Sequence, residues 1–199
     1  LNQDQPFLSK GVLMMKALIV IDFTKDFVTG SLPVGQPAVE IDETIAAVTE
    51  AYCKNKHEVI MAVDLHEEND PYHPETALFP PHNIRNTEGR QLYGRLAQVM
   101  EERKTDIRWM DKTRYSAFCG TDLELRLRAR GITDIALIGV CTDICVLHTA
   151  VDAYNKGFHI TVYEDAVASF NPTGHEWALE HFRSSLGASV VKASETVLA

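Results

Sequence analysis

IALIGVCTDICVLHTAVD, residues 135–152, decides the fold. The apolar run Ile135–Ile138, bounded by Gly139, reads as a buried parallel strand. The rest reads as a helix: Thr142 or Asp143 can cap it, Ile144, Leu147, Val151 and Tyr154 recur at helical spacing, and Gly157 supplies the stop. Cys145 thereby falls in the first helical turn, at the carboxyl end of a strand. Ligands bind at that edge in open α/β sheets. Free N–H groups of a first turn favour a thiolate there, and equally an oxyanion formed by thiolate attack on a carbonyl. Asp143 opposes the thiolate unless a cation compensates. Taken alone, Cys145 reads first as a small buried core residue, and the rest of the chain reverses that reading.

Working outward, apolar runs end in acids. Ala17–Ile21 precedes Asp22, Val59–Val63 precedes Asp64, and Phe158–Tyr163 precedes Glu164–Asp165. Ile107–Met110 and Ala188–Val191 complete the predicted strands. Periodicity predicts helices over 38–55, 89–102, 121–130 and 173–186 between them. Strands alternating with helices imply a parallel sheet covered on both faces, a doubly wound α/β domain. No GxGxxG or Walker loop is present to cradle a nucleotide phosphate.

The 199 residues suffice for one domain with a sizeable core. A formal net charge of −9 excludes a nucleic-acid or anionic-membrane surface, since either needs a basic patch. No apolar run approaches bilayer length. Cys53, Cys119, Cys141 and Cys145 show no CxxC spacing, which suits reduced thiols in a cytoplasmic protein. Residues 1–14 lack the charged region and apolar core of a signal peptide and are expected to be an expression remnant or upstream extension.

Three residues of complementary chemistry sit at strand ends or the adjoining loops. Cys145 can be a nucleophile, Asp22 the base that takes its proton, and Lys112, in a predicted loop over 111–120, the cation that offsets Asp143. His148 competes as a base, but one turn along the helix it faces away from the strand edge. The segment Leu65–Thr87 has no periodic pattern, and a long loop in a compact domain is usually functional. Asp64 and His66, two apart, can point to one side, and His82 follows Pro80–Pro81. Carboxylate and imidazole donors suit Zn²⁺, Mn²⁺ or Fe²⁺. On residue types alone they read first as solvated loop residues.

The combination VIDFTKDF around Asp22, DKTRYSAF around Lys112 and GVCTDICV around Cys145 resembles the isochorismatase-like cysteine hydrolases, from about Lys16 to the C-terminus. Within them, DLH at 64–66 with FPPH at 79–82 resembles the nicotinamidases, some of which accept pyrazinamide. The resemblance implies a six-stranded parallel sheet with helices on both faces, over a single hydrolase domain, 15–199. It implies a Cys145–Asp22–Lys112 triad that hydrolyses a small carboxamide, nicotinamide, through a thioester in NAD salvage. It also implies an oxyanion held by the N–H groups of Cys141 and Cys145, and a cis peptide at Val140–Cys141. A divalent ion, zinc first, is implied at Asp64, His66 and His82, holding the pyridine nitrogen. Phe27, Phe79, Tyr115 and Phe118 are expected to line the ring pocket, and a homo-oligomer is expected. Many members have a histidine as the fourth ligand where this chain has Tyr72; of the neighbours His73 and Glu75, Glu75 is the expected ligand and His73 a loop residue near the pocket mouth. The rivals are an isochorismatase or carbamoyl-amide hydrolase of the same fold, which has no need of the DxH…PPH set, and a non-catalytic binding protein, which has no need of an intact triad.

Overall fold

The computed structural model describes residues 14–199; the expectation for the first thirteen lies outside them. Six strands, β1 (Ala17–Ile21), β2 (Glu58–Asp64), β3 (Ile107–Lys112), β4 (Asp134–Val140), β5 (His159–Ala168) and β6 (Ser189–Val191), form one all-parallel sheet in the order β3-β2-β1-β4-β5-β6. The strand order reverses between β1 and β4, which opens a crevice at their carboxyl ends.

Alternation along β1 shows why both faces are covered. Leu18 and Val20 pack with Ile45, Val48 and Tyr52 of α3 (Asp42–Lys54) and with Leu96 and Val99 of α4 (Gly94–Glu102). Ala17, Ile19 and Ile21 pack on the other face, with Leu123 and Leu127 of α5 (Leu123–Ala129), Ala150 of α6 (Leu147–Asn155) and Phe182 of α7 (Pro172–Ser184). Each such large apolar side chain contributes about 1.5–3 kcal/mol by leaving water. Two short helices, α1 (Lys25–Val28) and α2 (Gln36–Glu40), lie in the long β1–α3 connection. Among the described residues no helix is long and apolar enough to cross a membrane.

Five elements depart from the sequence expectation, each for a local reason, and the first is β3, which runs on to Lys112. The helix predicted over 38–55 is two helices, broken at Ile41, where ψ is −1°. The helix predicted over 89–102 starts only at Gly94, because residues 91–93 pair with the loop after β1: Lys25 donates to Gln91 O, Tyr93 to Phe23 O, and Thr24 bridges Leu92. β5 runs on to Ala168, because a register shift in β4 lets Gly139 and Val140 pair with Val167 and Ala168. The helix after β4 opens with a π-helical turn, Thr142–Val146, in which Val146 N–H donates to Cys141 O (3.1 Å). That wider turn rotates the helix face by about one residue. Cys145, Val146, Thr149, Ala150 and Ala153 are buried, and Tyr154, expected inside, is half exposed.

Gly139 is required by this join. Its φ is +114°, and a Cβ there would stand 2.0 Å from the Ile21 carbonyl oxygen of its β1 partner.

Candidate active site and metal centre

Register at the sheet's carboxyl edge assembles the polar centre. Asp22 is the first residue beyond β1, with φ +56°. Its N–H donates to Ala62 O (3.0 Å), and its Oδ1 accepts the Asp64 N–H (2.7 Å). Lys112 is the last residue of β3, not a loop residue as expected, because the β2–β3 ladder continues to the Asp64–Lys112 pair. Its Nζ lies 2.7 Å from Asp22 Oδ2, 3.6 Å from Asp64 Oδ1 and 3.7 Å from Cys145 Sγ. Asp22, Lys112 and Cys145 therefore meet in one buried cluster, with Cys145 on the π-turn after β4.

Burial sets the electrostatics. It raises Asp22 to about 6, against the pull of the Lys112 ammonium and with the added push of Asp64. Burial also holds the Cys145 thiol well above the usual thiol range, with Lys112 lowering it and Asp22 and Asp64 raising it. For Lys112, burial disfavours the charge, but Asp22 and Asp64 outweigh it and keep the ammonium protonated. The resting site is a neutral thiol beside a carboxylate–ammonium pair.

Asp143 is not the opposing charge that the sequence suggested. Its carboxylate accepts from Ser169 Oγ (2.6 Å), and neither it nor Thr142, which pairs with His175 (2.8 Å), caps the turn. The carboxylates that Lys112 offsets are Asp22 and Asp64. His148 is exposed, bonded to Ile144 O (2.7 Å) and packed against the Tyr115 ring (5.1 Å between centroids), and it makes no hydrogen bond to Cys145 among the described residues. The Val140–Cys141 peptide is cis.

Beside this cluster stands a second one. Asp64, His66, Glu75 and His82 are all buried, and each offers a donor atom within 4.8 Å of the others. His66 Nε2 is 2.7 Å from Asp64 Oδ2; His82 Nε2 is 3.5 Å from the same oxygen and 3.6 Å from Glu75 Oε2. His82 Nδ1 donates to Pro80 O (2.8 Å), which leaves Nε2 facing the carboxylates. Among the described residues, that nitrogen and Asp64 Oδ1 are buried without a hydrogen-bond partner. Burial opposes a charged imidazole, yet Asp64 and Glu75 push His82 up to about 10, so the cluster draws positive charge. Two carboxylates and two imidazoles fit a divalent ion, which the carboxylates would neutralise. Glu75 stands in this set and His73 does not. His73 bonds Thr113 O through Nε2 (2.8 Å) and accepts the Glu75 N–H at Nδ1 (3.3 Å). It is a buried cap of the 3₁₀ turn Pro74–Ala77, not a residue of the pocket mouth.

A small cavity joins the two clusters, lined by Cys141 and Cys145 on one side and by Glu75 and Phe79 on the other. Phe27 and Tyr115 line it as expected, but Phe118 does not. Phe118 stacks on Phe158 (5.5 Å between centroids) in the core beneath α5 and α6, because the turn after β3 directs it inward beside Ala117. Leu32, Ile144 and Phe170 complete the lining. Sequence reasoning missed these three, since each lies in an irregular or π-helical segment that carries no periodic signal. A larger groove of about 670 Å³ beside Arg90 and Trp109 shares no residue with this cavity and is lined by no cysteine, so volume alone does not locate the chemistry.

Residues 16–195 match the Isochorismatase domain family. The uncharacterized isochorismatase family protein PncA of Bacillus subtilis (strain 168) is 57% identical over 183 residues, 90% of this chain and all of the relative. The crystal structure of nicotinamidase/pyrazinamidase PncA from Bacillus subtilis superposes with a TM-score of 0.88 at 58% identity, covering 90% of this chain and 100% of that one. Pyrazinamidase of Pyrococcus horikoshii in complex with zinc superposes at 0.79 with 31% identity, covering 89% and 98%. The matched span runs from β1 through the nucleophile turn to the last strand, and the chain belongs to the isochorismatase family.

Proposed function

We propose that residues 15–199 act as one metal-dependent cysteine amidohydrolase that converts nicotinamide to nicotinate and ammonia, a step of NAD salvage. The observation that carries this reading is the shared cavity: a metal-cluster residue, Glu75, and the Cys145 thiol face the same small, aromatic-lined space. A relative that hydrolysed an aliphatic substrate without metal would have no use for that adjacency. Zinc is the ion we assign, supported by the donor set and by the zinc held in the Pyrococcus horikoshii pyrazinamidase.

The residues divide the work as follows. Phe27, Phe79 and Tyr115 sandwich a flat ring and exclude water. A bound divalent ion would supply a Lewis-acidic seat for the pyridine nitrogen. Cys145 Sγ attacks the carboxamide carbon as its proton passes to Asp22, whose raised pKa suits it to both take and return a proton. The carbonyl oxygen, now an oxyanion, is held by the N–H groups of Cys141 and Cys145. Asp22 then protonates the amine, the C–N bond breaks, ammonia leaves and a thioester remains. Water, deprotonated by Asp22, attacks the thioester carbon and releases nicotinate and the thiol. Lys112 keeps net charge in the buried site low through both half-reactions.

Chromatography of nicotinamide incubated with zinc-loaded protein tests the substrate. Nicotinate and ammonia in equal amounts are expected, with N-carbamoyl amides turned over far more slowly. Turnover of the carbamoyl compounds alone would replace this reading with the rival amidase.

A further inference from the structure

Asp26 lies four residues beyond the proposed base, buried, in a short helix remote in sequence from every metal-cluster residue. Its Oδ2 accepts the N–H of Asn83 (2.8 Å), and its Oδ1 accepts from the N–H (3.2 Å) and hydroxyl (3.0 Å) of Ser31. Asn83 is fully buried, adopts φ +44°, and is bonded a second time through its side chain, whose Oδ1 accepts from the buried Thr24 hydroxyl (2.9 Å). It is joined to two members of the cluster at once: it follows His82 in the chain, and its carbonyl accepts the His66 N–H (3.1 Å). The space for the carboxylate is built by glycines. A Cβ at Gly89 would stand 2.2 Å from Asp26 Oδ2, and one at Gly30 would stand 2.7 Å from Oδ1.

We infer that Asp26 is a positioning residue for the metal centre, which, through Asn83, fixes the backbone that presents His66 and His82. The long loop carrying His82 has little regular structure of its own, so a partner from another element has to set its conformation. A carboxylate accepting a buried N–H is a strong, directional tie. Outer partners of this kind orient ligands, and their loss typically costs about 10–100-fold in metal affinity. Asp26 also ties the loop that bears Asp22 to the loop that bears His82, so the base and the cluster share one mechanical support.

The inference rests on a metal being bound, not on its substrate. The test is the zinc dissociation constant of the full chain, measured by competition with a chromophoric chelator, beside the melting temperature of the metal-free protein. Asp26→Ala should bind zinc at least about tenfold more weakly than the parent. Asp26→Asn, which retains an oxygen for the Asn83 N–H, should stay within about threefold. Zinc bound by Asp26→Ala as tightly as by the parent overturns the inference. Should Asp26→Ala fail to fold, Gly89→Ala decides, since its Cβ would stand 2.2 Å from Asp26 Oδ2 and displace the carboxylate from the Asn83 N–H: affinity weakened by about threefold or more supports the role, and unchanged affinity overturns it. A parent that binds no zinc fails the metal-centre reading itself and is thus distinguishable from failure of the positioning role.

Discussion

Replacing Lys112 by methionine removes the one ammonium that touches Asp22, Asp64 and Cys145, and leaves a side chain of similar volume. At the 3.7 Å separation of Nζ and Sγ, and with an effective dielectric constant of about 20, the lost attraction for a thiolate is about 4 kcal/mol. At 1.36 kcal/mol per tenfold change, that is up to about a thousandfold less thiolate at a fixed pH. Asp22 loses the same counter-charge at 2.7 Å and takes up a proton more readily, which returns part of the loss. We therefore predict that Cys145 alkylation by iodoacetamide at pH 7 slows by about 10–100-fold. The exposed Cys119 is an internal reference whose rate should not change. Quantitative peptide mass spectrometry reads both thiols in one sample. Breaking a buried charge cluster from one side also costs about 3–5 kcal/mol of stability. For a chain of this size that lowers the melting temperature by about 6–20 °C. Cys145 alkylated as fast in Lys112→Met as in the parent, with Cys119 unchanged, would refute the charge argument.

Other perturbations probe the remaining parts. Asp22 must be ionised to accept the thiol proton, so kcat/KM for nicotinamide should fall as pH drops through about 6, measured as the acid limb of a pH–rate profile on zinc-loaded protein. The same raised pKa makes Asp22 a group that binds its proton more tightly folded than unfolded. Its contribution to stability is thus complete below the ordinary value of 3.8 and is lost as pH rises through about 6, and Asp22→Asn should flatten that part of a melting-temperature profile. Glu75→Ala should lower zinc content by elemental analysis and raise KM, whereas His73→Ala should keep its zinc, because both ring nitrogens of His73 are engaged elsewhere. Gly139→Ala should destabilise by about 3 kcal/mol or more, seen in denaturant melts, since a Cβ meets backbone that cannot give way.

The contrast between what the sequence disclosed and what it did not is physical. Strands β1, β2 and β4 were legible because burial on both faces demands uninterrupted apolar runs, and their terminal acids followed directly. Asp64, His66 and His82 stood out as possible donors, but only the likeness to the nicotinamidases made them, with Glu75, one metal set. Lys112 as a strand residue was not legible, because β3 carries Arg108, Trp109 and Asp111 on a half-exposed edge and its end is set by pairing with Asp64. The π-turn was hidden for a related reason: one extra residue per turn shifts the helix face, and apolar residues occupy both candidate faces here. Phe118 and Tyr115, three apart, read alike as pocket aromatics, and only the course of the chain after β3 separates them. Asp26 lies within the VIDFTKDF stretch, but its role was not legible there, since its partner, Asn83, is 57 residues away.

The central claim is that Cys145 carries the acyl group of nicotinamide during turnover. Peptide mapping of zinc-loaded protein mixed with nicotinamide and quenched in acid before the steady state tests it directly. A nicotinoyl thioester is expected on Cys145 itself, located by fragmentation within the peptide that carries both Cys141 and Cys145; a nicotinoyl group on Cys141 or Cys119 in place of Cys145 would contradict the claim.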